Sequence, residues 1–149
     1  MQESFEVHEG MRVTNNCRRE IFKAIEDDAH ILIVEYEGAG RTLKALTDLL
    51  KNNEKANYHY VTKFDDDGSY EVFQAILNLH LPHEKLKITG VHTDCCVYQT
   101  TLGLRDYFPK SKIEVISDAC DSIWNASSKV NNHYCGISLM SRIDNVSIL

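Results

Sequence analysis

No run in this sequence approaches the roughly 18 apolar residues that a helix needs to cross a bilayer. The opening Met1-Gln2-Glu3-Ser4-Phe5-Glu6 does not have the pattern of a secretory leader. An excess of positive charge is lacking too. The formal net charge is -6 and the pI about 5.6, which argues against a nucleic-acid or anionic-membrane surface. The five cysteines (Cys17, Cys95, Cys96, Cys120 and Cys135) contain no C-x-x-C, so a zinc ribbon and a thioredoxin motif are both excluded. An odd number without a paired framework suits a reducing compartment better than secretion. There is neither an internal repeat nor a low-complexity linker. The expectation is a single cytoplasmic domain over residues 1–149, large enough to build a core without disulfide or metal staples.

What is present is a regular alternation of apolar runs and amphipathic stretches. Residues 1–13 are polar with little periodicity, and Thr14 reads as the cap of a helix with Cys17, Ile21, Ala24 and Ile25 on its apolar face. Ile31-Leu32-Ile33-Val34 is apolar on both faces, as a strand inside a parallel sheet is. Gly38-Ala39-Gly40 breaks it, and Leu43, Leu46, Leu49 and Leu50 mark a second helix. A strand from Tyr58 to Thr62 ends at Lys63, Asp65-Asp66-Asp67-Gly68 is a turn, and Val72, Phe73, Ile76 and Leu77 face inward from a third helix. Further strands are expected at Leu86–Val91, at Ile113–Ile116 (closed by Asp118) and at Val146–Leu149, with a helix over roughly residues 131–142. Strands alternating with helices imply right-handed crossovers and an α/β, doubly wound, mostly parallel sheet with helices on both faces. Sites in such sheets lie beyond the carboxyl ends of the strands, where Glu35, Lys63, Val91-His92 and Asp118 fall.

The chain is organised around residues 86–108. A short strand passes Gly90 into a tight turn and becomes a helix at Thr93-Asp94, residue types that cap helices. Val97, Thr101, Leu104 and Phe108 follow at helical spacing. Cys95 and Cys96 therefore lie in a first helical turn, where free N–H groups and the macrodipole favour a thiolate. Local chemistry leaves two readings open in equal measure: an acyl-transfer nucleophile, or a pair of small buried hydrophobes.

Gly90-Val91-His92-Thr93-Asp94-Cys95-Cys96-Val97, with the later Asp118-Ala119-Cys120, resembles the signature of the isochorismatase-like cysteine hydrolases. Nicotinamidases, carbamoylsarcosine amidohydrolases and ureidoacrylate hydrolases belong to that family, and its pattern sets the catalytic cysteine before the valine. The resemblance implies a Rossmann-like three-layer fold and a thioester mechanism on a small amide or other C–N bond. It assigns the nucleophile to Cys96 and a catalytic lysine to Lys63, where an ammonium favours the thiolate. It also implies an oxyanion hole from the backbone N–H groups of His92 and Cys96, beside a Val91–His92 peptide that family members hold in the cis form. The His92 side chain departs from the small residue usual there, and reads as a satisfied, partly buried histidine.

The resemblance also implies absences. Nicotinamidases place an Asp-x-His segment and further histidines after the second strand, whereas this chain reads Glu35-Tyr36-Glu37-Gly38-Ala39-Gly40. The expectation is no metal, no cofactor, and a small-molecule substrate other than nicotinamide. The family's third catalytic residue, an aspartate ending the first strand, would fall one position before Met1, with its strand missing too. Two unpaired strand edges and much exposed apolar surface would follow. Three explanations are a longer natural or trimmed protein, a decayed homologue, and a gap filled by the N-terminal segment or another subunit. Glu35 and Glu37 are the only replacement carboxylates to suggest themselves. Asp118 reads as structural support, and Asp65-Asp66-Asp67 as a solvated turn without EF-hand spacing. Family analogy suggests a homo-oligomer. The rival readings are a catalytically inactive binding or regulatory module and, more remotely, a redox switch at the vicinal cysteines, which are poorly placed for a disulfide within a helix.

Overall fold

In the computed structural model, residues 1–125 and 130–149 are described, with Trp124, Asn125, Val130 and Asn131 as backbone only. Helix α1 spans Gly10–Glu26 and leads into strand β1, His30–Tyr36. Helix α2 (Lys44–Lys51), β2 (Asn57–Lys63), α3 (Ser69–Asn78) and β3 (Lys85–Val91) follow in alternation. A π-helical turn over Thr93–Val97 then runs directly into α4, Tyr98–Tyr107. Strand β4 (Lys112–Asp121), the short pair β5 (Trp124–Asn125) and β6 (Val130–Asn131), α5 (Asn132–Met140) and β7 (Val146–Ile148) complete the described chain. No described helix is long and apolar enough to cross a membrane.

Apart from the short antiparallel pair β5–β6, the strands pair in parallel, as the two-sided apolar character of β1 predicts. Strand β1 pairs with β2 from His30↔Asn57 to Tyr36↔Lys63, and β4 lies between β3 and β7. In β4, Ile113 and Val115 point to one face while Ile116 points to the other, the period of two of a strand. Below one face, Val13 and Cys17 of α1 and Leu46 of α2 pack with Ile116 and Ala119. On the opposite face α3 and α4 pack Val72, Ile76, Leu104 and Phe108 against Val61 and Ile113, and Met140 of α5 joins Val97, Val115 and Cys120. The result is the expected three-layer α/β arrangement.

Three boundaries differ from the sequence reading. Helix α1 starts at Gly10, and Thr14 is not its cap: its hydroxyl donates to the Gly10 carbonyl at 2.7 Å within the helix. The true start is held from β4, whose Asp121 carboxylate accepts the Glu9 N–H at 2.6 Å and whose neighbour Ser122 accepts the His8 N–H through its carbonyl at 3.2 Å. Strand β4 does not close at Asp118 but continues to Asp121 through a bulge, the register passing from Ile88↔Val115 to Gly90↔Cys120. Gly90 sits there at φ 134°, a region open to glycine. Asp118 consequently lies within the strand, where its carboxylate grips the Arg19 guanidinium at 2.9 Å and its carbonyl accepts from Arg12 and Asn16. It ties α1 to β4, as the structural reading expected. The third boundary is the helix start beside the cysteines, taken up with the site.

Among the described residues, β1 and β3 are not hydrogen-bonded to each other, so the parallel sheet is divided into β1-β2 and β3-β4-β7. A cavity of about 610 Å³ separates them, lined by Ile31 to Val34 on one side and Lys85 to Val91 on the other. At its carboxyl end the Gln2 side chain supplies a partial substitute for a neighbouring strand. Its amide donates to the Tyr36 carbonyl at 2.9 Å and accepts the Tyr36 N–H at 2.6 Å. Two open edges flanking an apolar space are what a sheet without a strand at that place presents.

Candidate active site

The carboxyl ends of β2 and β3 bring Lys63 and the cysteine turn together. Lys63 is the last residue of β2 and only 5% exposed. A buried ammonium needs acceptors, and its Nζ donates to the Asp66 carbonyl at 2.6 Å while lying 5.1 Å above the centre of the Tyr36 ring. Gly68 makes room for this fold-back, since a Cβ there would lie 2.8 Å from Lys63 Cδ. The same loop starts α3, where the Asp67 carboxylate accepts the Ser69 N–H at 2.8 Å.

The aspartate run is therefore not simply a solvated turn. Asp65 and Asp67 are exposed, but Asp66 is half-buried and faces the cysteines. The Cys95 thiol donates to Asp66 Oδ2 at 3.0 Å, and the Cys96 thiol to Oδ1 at 3.6 Å. Burial together with the Asp66 acceptor pushes the Cys95 thiol up to about 12. Cys95 is thereby held protonated at neutral pH, a condition opposite to the one a thiolate nucleophile needs. Cys96 is the more buried of the two and lines the cavity together with Lys63.

The turn carrying both cysteines does not use Thr93 or Asp94 as a side-chain cap. His92 occupies the capping position without a side-chain cap bond, and its carbonyl accepts the N–H groups of Cys95 at 3.2 Å and Val97 at 3.0 Å. Thr93 Oγ1 is hydrogen-bonded to His133 Nδ1 of α5 at 2.9 Å, and the Asp94 carboxylate accepts the Ser122 hydroxyl. Helix α5 comes close enough here that a Cβ on Gly136 would lie 2.6 Å from the Thr93 carbonyl oxygen. The Val91–His92 peptide is cis. The His92 ring is half-buried, 2.9 Å from the Glu6 carbonyl through Nε2 and edge-on to Phe5. That matches a satisfied histidine rather than an acid or base.

Of the residues picked out from sequence, Lys63, His92 and Cys96 thus gather at one end of the sheet. Glu35 is committed elsewhere, its carboxylate accepting the Thr42 N–H at 2.7 Å, and Glu37 is exposed. Asp66 was missed as a site residue. A signal existed in its place three residues beyond Lys63, at the mouth of the strand-end crevice, but three consecutive aspartates look alike until the loop is folded.

No family model matches the chain, and no curated protein matches it in sequence. Solved structures match its whole fold. A MAR1 ribonuclease from Caenorhabditis elegans superposes with a TM-score of 0.78 at 20% identity, over 99% of this chain and 71% of that one. An isochorismatase from Pseudomonas putida gives 0.77 at 15% identity, over 99% and 82%. The Staphylococcus aureus nicotinamidase gives 0.72 at 16% identity, over 95% and 85%. The chain has the isochorismatase-like fold.

Proposed function

We propose that this protein is a cysteine hydrolase acting on a small amide or other C–N bond. The observation that carries the reading is the meeting of Cys96 and Asp66 beside buried Lys63 at the mouth of an apolar cavity. Fold likeness to hydrolases supports it only as analogy. Cys96 Sγ attacks the substrate carbonyl carbon and its proton passes to Asp66, which supplies the base that the sequence left unassigned. The oxyanion is received by the backbone N–H groups of His92 and Cys96, donors of a kind that contributes roughly 3–4 kcal/mol each. Lys63 offsets the negative charge. Collapse breaks the C–N bond, Asp66 returns the proton to the departing amine, and a thioester remains on Cys96. Water then adds with Asp66 as base, and the carboxylic acid product leaves as the thiol is restored.

The formal charge of -6 and the thiol–carboxylate chemistry favour a small neutral amide over a polynucleotide, although one structure of similar fold is that of a ribonuclease. The test is amine release from a panel of small amides by wild type, Cys96→Ala and Cys95→Ala. Turnover should disappear with the first substitution and persist with the second; equal loss in both would sink the assignment.

A second reading, a non-catalytic small-molecule binding module, draws on the cavity itself. Its volume of about 610 Å³ falls within the roughly 300–1,000 Å³ typical of ligand pockets. Saturable binding of small apolar ligands without turnover in any panel member would favour it.

A further inference from the structure

The structure assigns a second chemical capacity to Asp66, Cys95 and Cys96: we infer that together they bind one thiophilic divalent cation of the zinc or cadmium type. Their donor atoms all lie within 4.8 Å of one another. Ligands on a tetrahedral zinc, with Zn–S near 2.3 Å and Zn–O near 2.1 Å, are spaced about 3.6–3.8 Å apart. The Cys96 Sγ to Asp66 Oδ1 distance is already 3.6 Å, while Cys95 Sγ lies 3.0 Å from the other oxygen, Oδ2, so the two thiols straddle the carboxylate and close on one of its oxygens as a proton is replaced by metal.

The donors also have the right character. Two sulfurs and one carboxylate oxygen select a borderline-soft ion over magnesium or calcium, which take oxygen alone. Both thiols of the π-helical turn Thr93–Val97 reach one carboxylate, a separate oxygen for each. Charge closes as well. Two thiolates and Asp66 carry three negative charges, the cation two positive, and the Lys63 ammonium, fixed on the Asp66 carbonyl at 2.6 Å, supplies the third. Two thiol protons leave to solvent as the two metal–sulfur bonds form. Half-exposed Cys95 and Asp66 leave a side from which water can complete the fourth position.

A cation there occupies the Cys96 sulfur that would act as the nucleophile, so metal and acyl chemistry exclude each other; that consequence rests on the hydrolase reading, but binding itself does not. The test is Cd²⁺ titrated into the reduced protein at neutral pH, read by thiolate-to-metal charge-transfer absorption, with stoichiometry by equilibrium dialysis. One ion per chain with the intensity of two thiolates is expected. Cys95→Ser and Cys96→Ser should each remove about half of the band. Asp66→Asn should weaken binding by about tenfold or more with both thiolates still engaged, whereas Cys17→Ser and Cys135→Ser should change nothing. A charge-transfer band of undiminished intensity after loss of either vicinal cysteine, unchanged affinity in Asp66→Asn, or no binding at all would overturn the inference, none of which bears on hydrolysis.

Discussion

The Asp66 carboxylate accepts from two thiols of different exposure, Cys95 and Cys96. Burial and the Asp66 acceptor both keep Cys95 protonated, with its value near 12 against an ordinary 9.0. Asp66→Asn removes the anionic acceptor and leaves the burial, so the apparent Cys95 value should fall toward 9.0 without reaching it. Iodoacetamide alkylation of Cys95 followed against pH, with Cys96 replaced by Ser, measures this directly; an unmoved profile would mean the hydrogen bond is not made. Cys96, Lys63 and His92 were singled out by resemblance to a family motif, and the structure gathers them at one end of the sheet. Asp66 was not. Which member of an aspartate triplet turns inward depends on the Lys63 bond to the Asp66 carbonyl, a contact between side chain and folded loop.

At the scale of elements, the cysteine turn is positioned from behind by α5. Gly136 lies against the Thr93 carbonyl and the Asp94 amide, 2.6 and 2.7 Å from where a Cβ would stand, and both neighbours are backbone that cannot swing aside. Gly136→Ala should therefore displace α5 or the turn, lower stability by about 1–3 kcal/mol as overpacking does, and slow Cys96 alkylation. Urea unfolding and the alkylation rate check the two parts; a variant of wild-type stability and reactivity would show that α5 does not position the turn. The main helices and parallel strands were readable, since apolar periodicity is local, but the two-residue strands β5 and β6 were not expected and several ends were misplaced. The start of α1 is determined by Asp121 and Ser122, more than a hundred positions away in sequence, and β4 outruns its predicted end because a bulge carries it past Asp118. Thr14, Thr93 and Asp94 were natural cap candidates by type, yet their oxygens engage Gly10, His133 and Ser122.

At the scale of the whole molecule, buried titratable groups limit the fold at both ends of the pH range. Burial lowers His133 below 6.5, so the unfolded chain takes up its proton first, and the contribution is held above that value and lost as pH falls. Burial raises Cys120 to about 12, as burial and Asp66 raise Cys95, so stability is intact below 9.0 and lost as pH climbs from 9.0 toward 12. The thermal midpoint should be greatest between these limits, and Cys120→Ala should flatten the alkaline fall. A slope on that limb unchanged in the variant would remove Cys120 from the account. By itself the sequence determined the α/β class and the parallel strands, since these follow from hydrophobic period and residue type along short stretches. It also led to the expectation of two open strand edges, and among the described residues β1 and β3 are unpaired with each other across the cavity. Only the tertiary structure decided which carboxylate meets the thiols, how α1 begins and where β4 ends. Those depend on contacts between segments far apart in the chain, whose partners no local pattern names.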